Sequence, residues 1–89
     1  MSARVTAWVW DSPVDDMAEC MVLLALAGQA NDDGDVLTVS LTRLARQCRM
    51  GQETLRRALD GLEERGFLTA RTRPSQWCWS GRINLGEGA

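Results

Sequence analysis

Residues 41–68 read LTRLARQCRMGQETLRRALDGLEERGFL, and the two helical patterns in this stretch, parted by three residues, decide the fold. Leu41, Leu44, Ala45 and Cys48 recur at spacings of three and four, which places them on one face of a short helix of about two turns. Ser40 stands before it as a side chain able to accept an orphan helical N–H. Arg49-Met50-Gly51 breaks the pattern, and Gln52 to about Arg65 resumes it with Leu55, Ala58, Leu59 and Leu62 turned inward. Glu53, Arg57, Asp60 and Glu64 fall on the opposite side, with Arg56 on the flank. Gly66 then occupies the place where helices favour a left-handed residue.

Beyond Gly66 the hydrophobic period shortens from about 3.6 to about 2. Phe67 to Thr72 reads as a strand, Arg73-Pro74-Ser75-Gln76 as a turn, and Trp77, Trp79, Gly81, Ile83 and Leu85 alternate with polar neighbours as a returning strand. Upstream, Val36 to Val39 is a minor strand behind the polar turn Asn31 to Asp35. Residues 13–29 form a helix by periodicity, with Ser12 as its cap and Pro13 at its first position. Arg4 to Trp10 alternates Val5, Ala7 and Val9 with Thr6, Trp8 and Trp10, which predicts a short N-terminal strand. The expected architecture is α+β, with three helices, a C-terminal hairpin and that strand. A chain of 89 residues suits one domain over 1–89 with its core in about residues 4–85.

Composition narrows the function. The chain has no histidine and no tyrosine, so the side chains that most often transfer protons are absent, and no enzyme is expected. Asp15 and Asp16 are placed to meet a helix dipole rather than to act as a catalytic pair. The turn Asn31 to Asp35 carries oxygen ligands, but Thr42 stands where a calcium loop needs glutamate. Cys20, Cys48 and Cys78 lie too far apart for a CxxC pair and read as reduced core thiols. No metal and no cofactor is expected. The longest apolar run, Cys20 to Ala27, is well short of the ~20 residues of a membrane span, so a cytoplasmic chain that touches no membrane is expected.

The formal charge of −2 is unevenly spread. Residues 1–36 carry one arginine against seven acids, and residues 37–89 carry nine arginines against five acids. Every basic residue is arginine, the better fork for phosphate and for guanine. On the front of the 52–65 helix, Gln52 is suited to adenine, Arg56 and Arg57 to guanine or phosphate, Thr54 to phosphate, and Glu53 to a cytosine amino group. The same residues equally suit the solvated face of an amphipathic helix, so the residues alone leave both readings open. Trp8, Trp10, Trp77 and Trp79 alternate within strand-like runs and are expected in a core or interface rather than on a base-stacking platform.

The stretch from Leu41 to Leu68 resembles the winged helix-turn-helix domains of bacterial and phage transcription regulators and replication-initiator-like proteins. The likeness rests on a small Ala45 at the helix crossing, an apolar Met50 in the turn, Thr54-Leu55 early in the second helix, and the ending Leu62-Glu-Glu-Arg-Gly66-Phe-Leu. With Val22 to Ala27 and Asn31 to Gly34 it extends over about residues 14–85. The resemblance implies double-stranded DNA as partner, a homodimer, helix 52–65 in the major groove and a wing over 71–76 on the backbone. Arg71, Arg73 and Gln76 of the wing, and Arg43 near the start of the preceding helix, become contacts on that basis, with Arg82 a further candidate. The role implied is sequence-specific regulation, or an accessory function on a phage or other mobile element. The alternative is the same fold docking a protein partner without DNA, motivated by the acidic first half and the tryptophans. Arg49 stands where the family's turn has glycine and Gly51 where it has a Ser or Thr cap, which predicts a less regular turn.

Overall fold

The computed structural model describes residues 2–72 and 77–85. Four helices, α1 (Ala3–Asp11), α2 (Met17–Ala27), α3 (Leu41–Gln47) and α4 (Gln52–Glu64), accompany three strands, β1 (Asp35–Ser40), β2 (Leu68–Thr72) and β3 (Cys78–Ile83). The strands form one antiparallel sheet in the order β1-β3-β2, so the β2–β3 hairpin takes β1 onto its free edge. Helices, sheet and hairpin follow one another as a winged helix-turn-helix requires. The turn 73–76 between β2 and β3, with Arg73 and Gln76, lies outside the described residues.

The N-terminal segment is a helix, not the expected strand. Val5 and Val9, four residues apart, are both buried against α2, and Ser2 caps the helix by accepting from the Val5 amide at 3.1 Å. Over so short a run the Val5/Ala7/Val9 alternation also contains this i, i+4 pair. The valines, threonine and tryptophans that favour a strand are overridden by packing. Trp8 meets Phe67 with ring centroids 6.4 Å apart.

The Ser12-Pro13 signal accordingly ends a helix rather than starting one. Ser12 donates from its hydroxyl and its amide to the Val9 carbonyl, and Pro13 follows where a helix cannot continue. The next helix begins four residues later, with Asp16 accepting from the Glu19 amide at 2.9 Å. Asp16 thus caps α2 instead of sitting in its first turn.

One hydrophobic core joins α1, α2, α3, α4 and the sheet, with Leu23, Leu26, Leu44, Leu55, Leu62, Ile83 and Trp79 among its fully enclosed side chains. Of the four tryptophans Trp79 is enclosed and Trp8 half-buried, whereas Trp10 and Trp77 are exposed. Cys20, Cys48 and Cys78 are free thiols, and burial pushes the Cys48 thiol above its ordinary pKa. Glu19, buried at 8% exposure, crosses from α2 to α4 and pairs with Arg65. It passes directly under Gly61, where an added Cβ would run into its carboxylate. This explains a glycine inside a helix, where it otherwise costs about 0.5–1 kcal/mol relative to alanine.

The C-terminal ends of α3 and α4 close in the same way. After α4, the Phe67 amide donates to the Leu62 carbonyl at 2.9 Å and the Gly66 amide to Glu63 at 3.1 Å, with Gly66 at φ 83°. After α3, the Met50 amide donates to Ala45 at 3.0 Å and the Arg49 amide to Arg46 at 3.2 Å, with Arg49 at φ 57°. Each is a Schellman closure. The turn is therefore as regular as a glycine-containing one, contrary to the irregularity its sequence predicts, and Arg49 holds the left-handed conformation against the steric preference of a side chain. Replacing Arg49 by glycine should raise stability by about 0.5–1 kcal/mol, while Gly66→Ala should lower it by about 1–2 kcal/mol. Urea unfolding checks both. A loss on Arg49→Gly would show that the turn stores no strain.

Candidate nucleic-acid interface

The roll of α4 about its own axis follows from its apolar stripe. Leu55, Ala58, Leu59 and Leu62 are all buried, which turns Glu53, Thr54, Arg57, Asp60 and Glu64 to the exterior. Arg56 lies on the flank, half-buried, as its position in the helical pattern predicts. The front of the helix rises from Gly51, which provides no side-chain cap for the first amides of α4. That end carries positive partial charge from the helix dipole.

The two helices are joined at this corner by side chains as well as by the turn. Gln52 donates from Nε2 to the Thr42 hydroxyl at 3.1 Å, tying the first turn of α4 to the first turn of α3. Thr42 was not among the contacts expected from the sequence. Its hint is only its place two residues after the cap Ser40, which accepts from the Arg43 amide at 3.2 Å. Arg43 is exposed beside it. Thr42, with Arg43 next to it, thus meets Gln52 at one polar, solvent-facing corner, while Glu53, Thr54 and Arg57 face outward on the front of α4, Thr54 and Arg57 beside Asp16, Ala18 and Glu19 of α2.

Arg57 pairs with Glu53 one turn earlier at 3.3 Å, with the two side chains 78% and 88% exposed. Such an exposed i, i+4 pair is worth only about 0.3–0.5 kcal/mol, small against the gain from one phosphate or base contact. The guanidinium is therefore stored rather than locked. The C-terminal half of the same face, with Asp60, Glu63 and Glu64, is acidic, so a polyanion is favoured only at the front of the helix.

The wing residues divide. Arg71, on β2, reaches across the sheet to Asp35 on β1 at 2.6 Å, and Arg82 on β3 lies 3.9 Å from the same carboxylate. One acid thus partly neutralises two arginines and braces the base of the hairpin. Arg73 and Gln76 lie outside the described residues.

Asn31 Oδ1 accepts from the Asp33 and Asp35 amides, each at 3.0 Å, which makes the acidic segment a self-satisfied turn. Among the described residues no cluster of Cys, Asp and Glu could hold a metal ion, and no helix is long and apolar enough to cross a membrane.

The helix pair, its closed turn and its outward polar corner define a helix-turn-helix protein. A family model described as a helix-turn-helix domain matches residues 17–68, more than half of the chain, and the chain belongs to that family. Membership supports a DNA-binding role in general terms. The chain is also similar to Protein YmfN of Escherichia coli (strain K12), 34% identical over 76 residues that make up 82% of this chain. It spans only 16% of that curated relative's length. No solved structure matches.

A double-mutant cycle on Glu53→Gln and Arg57→Gln should give a coupling in stability below about 0.5 kcal/mol. A coupling above about 1 kcal/mol would mean that Arg57 is held by Glu53 and not available to a ligand.

Proposed function

We propose that the chain is a sequence-specific double-stranded DNA-binding protein, a transcription regulator or accessory factor of a bacterial or phage element acting in the cytoplasm on nucleoid DNA. Helix α4 enters the major groove by its N-terminal turns, and the hairpin of β2 and β3 lies along the phosphate backbone. The observation that carries this reading is the roll of α4. Its apolar stripe faces the core, which leaves half-buried Gln52 at the corner with α3 and the exposed Thr54 and Arg57 on the outward front of α4 toward α2, the turns by which a recognition helix meets base edges.

Each residue takes a role its chemistry supports. Gln52, fixed by Thr42 through its amide nitrogen, keeps its carbonyl oxygen to accept from an adenine amino group, and Arg57 forks to guanine or phosphate. Thr54 and Arg43 contact phosphates, as do Arg71, Arg73 and Gln76 of the wing. For Arg71 this requires exchange of its Asp35 partner, which confines it to the secondary contacts. Glu53 acts as a specificity element, accepting from a cytosine amino group and repelling sequences that lack one there. The net negative charge of the chain places the burden of attraction on this corner, so binding should be steeply salt-dependent.

Fluorescence anisotropy on duplexes recovered from a random pool tests the reading. Affinity should fall with a log–log salt slope of about −0.9 per phosphate contact. The folded variant Arg56→Ala with Arg57→Ala should bind more weakly, with a shallower slope. Unchanged binding by that variant at every salt concentration, or no duplex recovered at all, would remove the role assigned to α4 and favour the protein-docking alternative.

A further inference from the structure

Apart from Glu19, which is turned inward to Arg65, every residue of helix α2 is apolar, a composition normally found in helices enclosed on all sides. Its inner side, with Val22, Leu23, Leu26 and Ala27, is enclosed by the core. Its outer side meets no partner among the described residues. Met17 is 87% exposed, Met21 44% and the adjoining Trp10 69%, three of the five large hydrophobic side chains exposed among the described residues. With Cys20, Leu24 and Ala25 the two methionines make a stripe at helical spacing along the outside of α2.

The stripe runs between two rims of opposite charge. Two shallow depressions share Met21 and Leu24. The one at the N-terminal end of α2 adds Trp10, Val14, Asp15 and Asp16, and the one at the C-terminal end adds Gln29, Arg46, Gln47 and Arg49. Asp15, Arg46 and Arg49 are exposed and form no ion pair with the described residues.

We propose that this face is a two-fold interface between copies of the chain, with α2 packed antiparallel on the α2 of its partner. A two-fold axis through Met21 and Leu24 sets methionine against methionine and lays the acidic rim of each copy over the arginine rim of the other. The surface is self-complementary, as an isologous contact requires. An acidic or a basic partner protein would oppose only one rim and repel the other. Methionine suits such a seam, because its unbranched side chain adapts to an identical neighbour. No α4 residue lines either depression, and of the turn between α3 and α4 only Arg49 does, so the pairing does not depend on what the front of α4 binds.

Sedimentation equilibrium without DNA tests the pairing. The chain should sediment as a dimer at about 0.1 mM, far above the micromolar dissociation constants of modest interfaces. Met17→Glu with Met21→Glu changes exposed positions and should leave a folded monomer by circular dichroism. Asp15→Arg alone and Arg46→Asp alone each set like charges at both rims and should weaken pairing at least about tenfold, equivalent to about 1.4 kcal/mol. An equimolar mixture of these two variants restores opposite charges at both rims and should associate like the original chain. A monomeric original chain at this concentration, or a mixture no more associated than its two components, would overturn the proposal, whatever other molecule proved to cover the stripe.

Discussion

Burial of Leu55, Ala58, Leu59 and Leu62 is the constraint from which the rest of the structure takes its bearing. Removing a buried leucine side chain costs about 2–5 kcal/mol, more than any exposed charge pair on the same helix can return. The helix cannot roll to hide its polar face, and the direction of Gln52, Thr54 and Arg57 is a consequence of where the leucines go. The Glu19–Arg65 pair over Gly61 and the closure at Gly66 then hold the far end of α4 to α2 and to the sheet. The Schellman closure through Arg49 holds the near end against α3.

Electrostatics refine this frame without setting it. The arginines of the second half are not equivalent: Arg65 is absorbed by Glu19, while Arg71 and Arg82 face Asp35. What remains on the α3–α4 corner is a small basic area on an acidic protein. Such a corner attracts a polyanion locally while the acidic first half of the chain repels it, which favours a restricted mode of approach over general stickiness. The glutamate at the front of α4 works in the same sense, since an unsatisfied carboxylate against DNA is unfavourable and a satisfied one is selective.

The parts of the fold legible in the sequence are those with strong periodicity or unambiguous punctuation. Both helices of the central pair, the cap Ser40, the left-handed Gly66 and the hairpin strands were readable because each rests on a pattern several residues long. Residues 4–10 were not, because Val5 and Val9 satisfy a two-residue and a four-residue repeat at once and only contact with α2 decides between them. Ser12-Pro13 misled for a related reason, since a serine before a proline serves equally at the start of one helix or just past the end of another. Asp16, with Glu19 three residues on, was the better start signal. The positions suited to nucleic acid were legible as an exposed face, whereas the Thr42–Gln52 bond and the capture of Arg71 by Asp35 join residues too distant in sequence for any local pattern to reveal.

Amide chemical shifts of the labelled chain titrated with a selected duplex test the central claim most directly, because they report position by position which surface is covered. Perturbations should centre on Thr42, Arg43 and Gln52 to Arg57, extend to the tip of the hairpin, and leave the outer face of α2 unchanged. Perturbations confined to α2, or to the acidic turn of Asn31 to Asp35, with α4 unaffected, would contradict the assignment of α4 as the element that meets DNA.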